Sequence, residues 1–290
     1  MKRLAGILVL LGLAATCAAR EVWVVQFRTH FPADFPDPAS PCQTAAYYWK
    51  SRLMLSNTTD QELTVSLLSV SNGQRRADAR DLTISPRHTV SVEGYDTNWQ
   101  PDVPETTPAI IWVNQLEVPD GVAVADRGEV FLAEPRSPTP PCNFGHTTRA
   151  GLTFRVVEQL TPPGVSQYHL GADIGDGDTL NTRLDARINV GVFNASSEPA
   201  NATVDVRCSS PVRLETRPDE LVATLHLAIP PNTLVQETAL PSTVGASCHL
   251  LAIPFFFHVI VTSDQPGFSY AVALSNQALP KFPGFSPATN

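Results

Sequence analysis

Charge is scarce in this chain. Only 17% of its 290 residues are charged, with 20 Lys and Arg against 28 Asp and Glu, and the formal net charge is −8. A nucleic-acid binder needs a basic face to displace counterions from phosphates, and an anionic bilayer attracts the same chemistry, so the balance argues against both partners. Long apolar runs are missing too. Leu4–Ala15 and Leu250–Val261 each hold about a dozen residues, short of the roughly 20 that a membrane helix needs. Pro254 would also break any helix in the second run. No Cys-x-x-Cys and no His-Glu-x-x-His occurs, which leaves no compact zinc motif. His30, His88, His146, His169, His226, His249 and His258 are scattered and read as structural or surface side chains.

What is present points to strands and turns. Pro (26) and Gly (16) are spread along the chain, which favours many turns and few long helices. Apolar residues, at 43%, are enough for a core, and the length suits two domains. The first 19 residues read as an export signal: Lys2 and Arg3, then Leu4–Ala15, then small residues up to Ala19. Cys17 raises lipid anchoring, but Ala14 and Thr16 occupy the positions where a lipobox has a large aliphatic and a small residue, which argues against it. The expected location is secreted, periplasmic or cell-surface. Cys42, Cys142, Cys208 and Cys248 remain, and an even number in an exported chain predicts disulfides. Three connectivities are possible. Cys42–Cys142 with Cys208–Cys248 keeps each bridge inside one proposed unit.

Runs of strand-favouring residues recur with turn signals between them. They cover 21–31, 47–56, 62–70, 82–84, 89–92, 110–118 and 122–130, then 152–157, 187–194, 201–206, 221–229, 233–238, 250–261 and 267–274. Residues 164–181 read as an acidic loop. Arg187–Val206 reads as a strand, a polar turn led by Asn194, and a second strand; Arg52–Leu67 is an earlier version led by Asn57. Ile84-Ser85-Pro86-Arg87-His88-Thr89-Val90 matches Ile229-Pro230-Pro231-Asn232-Thr233-Leu234-Val235. Asp120-Gly121-Val122 matches Pro266-Gly267-Phe268. Ile84 to Gly121 spans 37 positions and Ile229 to Gly267 spans 38. One β-unit used twice is therefore expected, with Ile110–Val118 and Val122–Val130 as a hairpin.

The apolar strand, Asn-led turn, alternating strand and Ile-x-Pro turn of Val190–Val206 with Ile229–Val235, and of Leu53–Leu67 with Ile84–Val90, resemble the immunoglobulin-like modules of bacterial surface and secreted proteins, including the CARDB-like group. The resemblance implies an adhesion, spacing or binding role. The fold class expected is all-β: two tandem antiparallel immunoglobulin-like β-sandwich domains at 20–134 and 147–276, joined by a Pro-rich linker at 135–146 and followed by a Pro-rich tail at 277–290.

Four features carry candidate chemistry. Asp173, Asp176 and Asp178 on a Gly-containing stretch offer oxygens of the kind calcium takes, although their spacing fails the EF-hand register. Trp99 lies among Asp96, Asn98, Gln100 and Asp102, polar neighbours that suggest an exposed ring able to stack on a sugar. Gly267-Phe268-Ser269-Tyr270-Ala271 approximates a nucleophile elbow, but no His follows it, so a strand leaving a turn is expected. Asn57, Asn194 and Asn201 each open an N-x-[ST] sequon and read as turn formers. The function expected is non-catalytic binding, adhesion or scaffolding, with an unknown protein or glycan as partner and no cofactor besides calcium. The alternatives are carbohydrate recognition through the aromatics of the domain 1 loops, and a hydrolase with a loop-built site.

Overall fold

The structure, a computed structural model, describes residues 19–29, 46–71, 75–76, 80–93, 99, 109–135, 144–154, 156–171, 186–209, 220–241 and 256–275. Its named elements are all strands, paired antiparallel. The first group is β1 (Ala19–Thr29), β2 (Ala46–Asn57), β3 (Leu63–Ser71), β4 (Arg75–Arg76), β5 (Arg80–Ile84), β6 (Thr89–Glu93), β7 (Ala109–Pro119), β8 (Val122–Pro135) and β9 (Phe144–Phe154). The second is β10 (Gly164–Gly171), β11 (Ala186–Asn194), β12 (Ala200–Ser209), β13 (Glu220–Ile229), β14 (Thr233–Leu240), β15 (Phe256–Ser263) and β16 (Gly267–Ser275).

The repeat is visible in the pairing. In the first half β1 pairs β7, β7 pairs β3 and β3 pairs β5, while β6 and β8 flank β2. In the second half β10 pairs β15, β15 pairs β12 and β12 pairs β13, while β14 and β16 flank β11. Each of these pairings has its counterpart in the other half, and the first half adds β4 beside β3 and β9 beside β8. The halves differ further at one corner. β1 and β2 meet at Arg28↔Lys50, which joins the first half into a nine-stranded sheet; the second half keeps separate sheets of four and three strands.

Three expectations need correction. The two Asn-led segments are not hairpins, since β2 and β3, like β11 and β12, belong to different ladders and the chain turns a corner between them. The same holds for β7 and β8 around Gly121. Second, β9 pairs with β8 from Asp126↔Phe154 to Pro135↔Phe144. The ladder of the first half thus extends past the linker expected at 135–146, and 144–154 belongs to it rather than opening a second domain. Third, the opening strand of the second half is β10, within a stretch read as loop.

Asparagine explains the corners. Asn57 Nδ2 donates to the carbonyls of Gln61 (2.7 Å), Ile84 (3.0 Å) and Ser85 (3.2 Å), and its Oδ1 accepts from Thr59 N (2.9 Å) and Thr59 Oγ1 (2.8 Å). Asn194 repeats the pattern with Glu198 O (2.7 Å), Ile229 O (3.3 Å), Pro230 O (3.2 Å), Ser196 N (3.0 Å) and Ser196 Oγ (2.8 Å). Both residues are buried. The amide therefore binds its own turn on one side and the distant Ile-x-Pro turn on the other. That second turn reverses through Arg87 in one half and Asn232 in the other, at φ of 57° and 50°. Their N–H groups donate to Thr59 O and Ser196 O.

Side-chain alternation fills three apolar layers. Val22, Val24, Leu53, Leu55, Trp112 and Leu116 lead the core of the first half. Ile188, Val190, Val192, Val204, Val206 and Val259 lead that of the second. The third layer lies between the halves. Val25 and Phe27 of β1 and Val113 of β7 meet Phe193 of β11, Leu234 of β14, and Phe268 and Tyr270 of β16. Phe193 and Phe268 are 5.1 Å apart between ring centroids, and Tyr270 lies over Gly191, where a Cβ would strike its ring. Full burial of one such side chain is worth about 1.5–3 kcal/mol, so the seam is a core in its own right and not a loose domain contact.

Replacing Asn57 or Asn194 with Ala leaves buried carbonyls without a donor, at about 1–3 kcal/mol per group. Each variant is expected to lose about 3 kcal/mol in urea unfolding. A loss below about 1 kcal/mol in both would show that the corners do not depend on the amide.

Candidate functional site

A concave feature of mixed chemistry sits beside the seam. It has a volume of about 290 Å3 and is lined by residues that include Glu21, Trp23, Ser69, Gln115, Phe193 and Asn232. Register places Trp23 of β1 opposite Gln115 of β7, and Gln115 opposite Ser69 of β3. Gln115 Nε2 donates to Glu21 Oε2 (2.9 Å), and Ser69 Oγ donates to Gln115 Oε1 (2.9 Å). A polar row thus runs next to a half-buried indole, with Phe193 from the other half closing the wall. The backbone fixes the indole's position: Trp23 N donates to Val157 O (2.7 Å) and Val157 N donates back to Trp23 O (3.0 Å). Aromatic surface beside fixed amide and hydroxyl groups suits a small polar ligand. A second hollow of about 270 Å3, lined in part by Thr161–Ser166 and Gly267–Ser269, is adjacent.

A buried polar group lies in the first half. Asp126 of β8 is 1% exposed, and neither carboxylate oxygen has a hydrogen-bond partner. Burial drives its pKa well above the ordinary carboxylate value. Gln26 and Asn114 are also fully buried; Asn114 Nδ2 donates to Gln26 Oε1 and to Trp99 O (3.2 Å). The Tyr270 phenol across the seam is shifted upward, first by burial and then by the Asp126 charge, and donates to Gln236 Oε1 (2.5 Å).

The residues singled out from sequence fare differently. Trp99 is 5% exposed and packs in the core of the first half, while its carbonyl accepts from Trp112 Nε1 (2.9 Å). The exposed stacking ring is thereby overturned: the polar neighbours in sequence do not take the indole out to solvent. Asp173, Asp176 and Asp178 lie outside the described residues, as do Cys42, Cys142 and Cys248. Cys208 is 7% exposed at the end of β12 and disulfide-bonded. Ser269 stands in β16 with its Oγ 2.7 Å from the Tyr168 hydroxyl, in a strand as expected for that segment. The amides of Asn57 and Asn194 are committed to the corners. Asn201 is exposed, and Asp264 receives its N–H (2.7 Å) and Nδ2 (3.0 Å). Those two bonds hold the Asp264 pKa below the usual carboxylate value.

Pairing also brings together residues that sequence spacing kept apart. His169 of β10 and His258 of β15 are register partners with stacked rings, 4.6 Å between centroids. Only the β10–β15 pairing reveals this, and β10 was the strand missed from sequence. Among the described residues no group of three or more His, Cys, Asp or Glu forms a metal cluster. No protein-family model matches the chain, and no curated protein matches it.

The raised pKa of Asp126 sets a pH dependence with a definite sign. An acid whose folded pKa exceeds its unfolded value gives full stability below the unfolded pKa and loses it as pH rises toward the folded pKa. Asp126→Asn is therefore expected to raise stability at neutral pH and to match the parent below about pH 4. Thermal midpoints of both proteins across that range test it; a parallel pair of curves would show that Asp126 keeps an ordinary pKa.

Proposed function

We propose that the chain is an exported, non-catalytic binding or scaffolding protein built from two immunoglobulin-like sandwich units. The observation that carries this reading is the seam. It supports two copies of one strand pattern locked face to face, so that corners and clefts keep fixed positions relative to each other. Such rigidity suits presentation of a binding surface, because less freedom is lost when a partner docks. Export is supported by the leader-like residues 1–19 and by buried, bonded Cys208. We assign its partner as Cys248 and the other bridge as Cys42–Cys142, at the cell surface or in the periplasm. Calcium at Asp173, Asp176 and Asp178 belongs to the same proposal.

A second reading, carbohydrate recognition, is favoured by the cleft beside Trp23. Here the indole is half-buried and accompanied by the Ser69–Gln115–Glu21 row.

Expression with residues 1–19 intact in an exporting bacterial host tests the first reading. The expected product is soluble outside the cytoplasm, begins at Arg20 and carries no free thiol. Retention in the cytoplasm with an uncleaved leader would sink it. The same product on a glycan array tests the second: binding should fall at least about tenfold, or 1.4 kcal/mol, in Gln115→Ala. Absence of any bound glycan removes that reading.

A further inference from the structure

We propose that β13 is a docking edge for a second copy of this chain, the two β13 strands pairing antiparallel about a twofold axis. β13 is the outermost strand of the four-stranded sheet and, among the described residues, pairs only with β12. Among those residues the other side of Leu221–Ile229 makes no backbone hydrogen bond. The register shift in the β12–β13 ladder leaves Val222 without a partner. Beyond it, Ala223–Ile229 runs in unbroken register against Val206–Ala200 and reads Ala-Thr-Leu-His-Leu-Ala-Ile. That segment holds no Lys, Arg, Asp, Glu, Pro or Gly, the residues that blunt an edge. Leu221, at the start of the strand, is 49% exposed. Among the described residues the other exposed large apolar side chain is Val165, on β10 at the opposite edge of the same sheet.

The first half supplies the control, because it repeats the pairing with its edges closed. The counterpart of β13 is β5, five residues long with Arg80 and Asp81 in it. The counterpart of β10 is β1, whose outer side is taken by Val157 at Trp23 and by β2 at Arg28↔Lys50. One half carries the devices that prevent strand addition and the other lacks them on its longest edge.

Charge placement selects a second copy as the occupant. Antiparallel self-pairing of Ala223–Ile229 sets His226 near the axis. Glu220, the one carboxylate of the strand, then lies far from its counterpart, since a strand advances about 3.4 Å per residue. Such an interface uses the same patch twice and closes at two copies, giving a continuous eight-stranded sheet. Addition of β13 to β10 of another copy would instead grow without closing. The inference stands apart from the functional reading above, as it uses neither the cleft nor the leader.

Sedimentation equilibrium of the chain recovered from an exporting host tests the proposal. A monomer–dimer equilibrium is expected. His226→Lys places like charges across the axis and should weaken it at least about tenfold (1.4 kcal/mol), whereas Thr83→Lys on β5 should leave it unchanged. Thr224→Lys serves as the second edge variant if His226→Lys does not fold, judged by circular dichroism. A monomer at every concentration overturns the proposal. So does a dimer indifferent to the folded edge variants, or an open-ended assembly that Gln167→Lys on β10 dissolves instead.

Discussion

A primary amide buried at a corner is the interaction on which the architecture depends. Asn57 and Asn194 each use both amide hydrogens and the oxygen, and each ties its own turn to another some 30 residues away (Ile84–Ser85 and Ile229–Pro230). Without that tie the chain leaving β2 or β11 could fold back as an ordinary hairpin. With it, the next strand is delivered to a different ladder, and the two faces enclose a core. Asp could not substitute, since its carboxylate cannot donate to three carbonyls.

The consequence extends outward from each corner. Once β2 and β3 lie on different ladders, and β11 and β12 in different sheets, β1 and β11 acquire two buried faces. Val22 and Val24 point into one core while Val25 and Phe27 point into the seam; Val190 and Val192 face one core while Phe193 faces the seam. Strands buried on both faces read as continuous apolar runs instead of alternating ones, as Val22–Val25 does. The seam is thus written into the same strands that build the separate cores.

Much of the fold was legible for this reason, and the limits are equally physical. Most strand positions and the all-β, antiparallel class followed from residue type and spacing. Pairing did not, because a short polar turn between two apolar runs looks alike whether it closes a hairpin or crosses between sheets; the deciding bonds are long-range. Trp99 misled because its flanks are polar, whereas its carbonyl is bound by Trp112 Nε1 and Asn114 Nδ2 within the core. The cleft at Trp23 gathers residues from 21 to 232, a set no local motif marks. His169 and His258 became neighbours only through a strand whose Gly ends and mixed polarity resembled a loop.

The committed amides also bear on glycosylation in a host that modifies N-x-[ST]. Asn57-Thr58-Thr59 and Asn194-Ala195-Ser196 satisfy that sequence rule, yet in the folded chain their nitrogen is inside and spoken for. A sugar could reach it only during translocation, before the corner closes, and would then take one of the two amide hydrogens the corner uses and place its bulk where the nitrogen is buried. Attachment and folding at these two positions are mutually exclusive outcomes for each molecule. Asn201-Ala202-Thr203, exposed on the rim of β12, is free of that conflict.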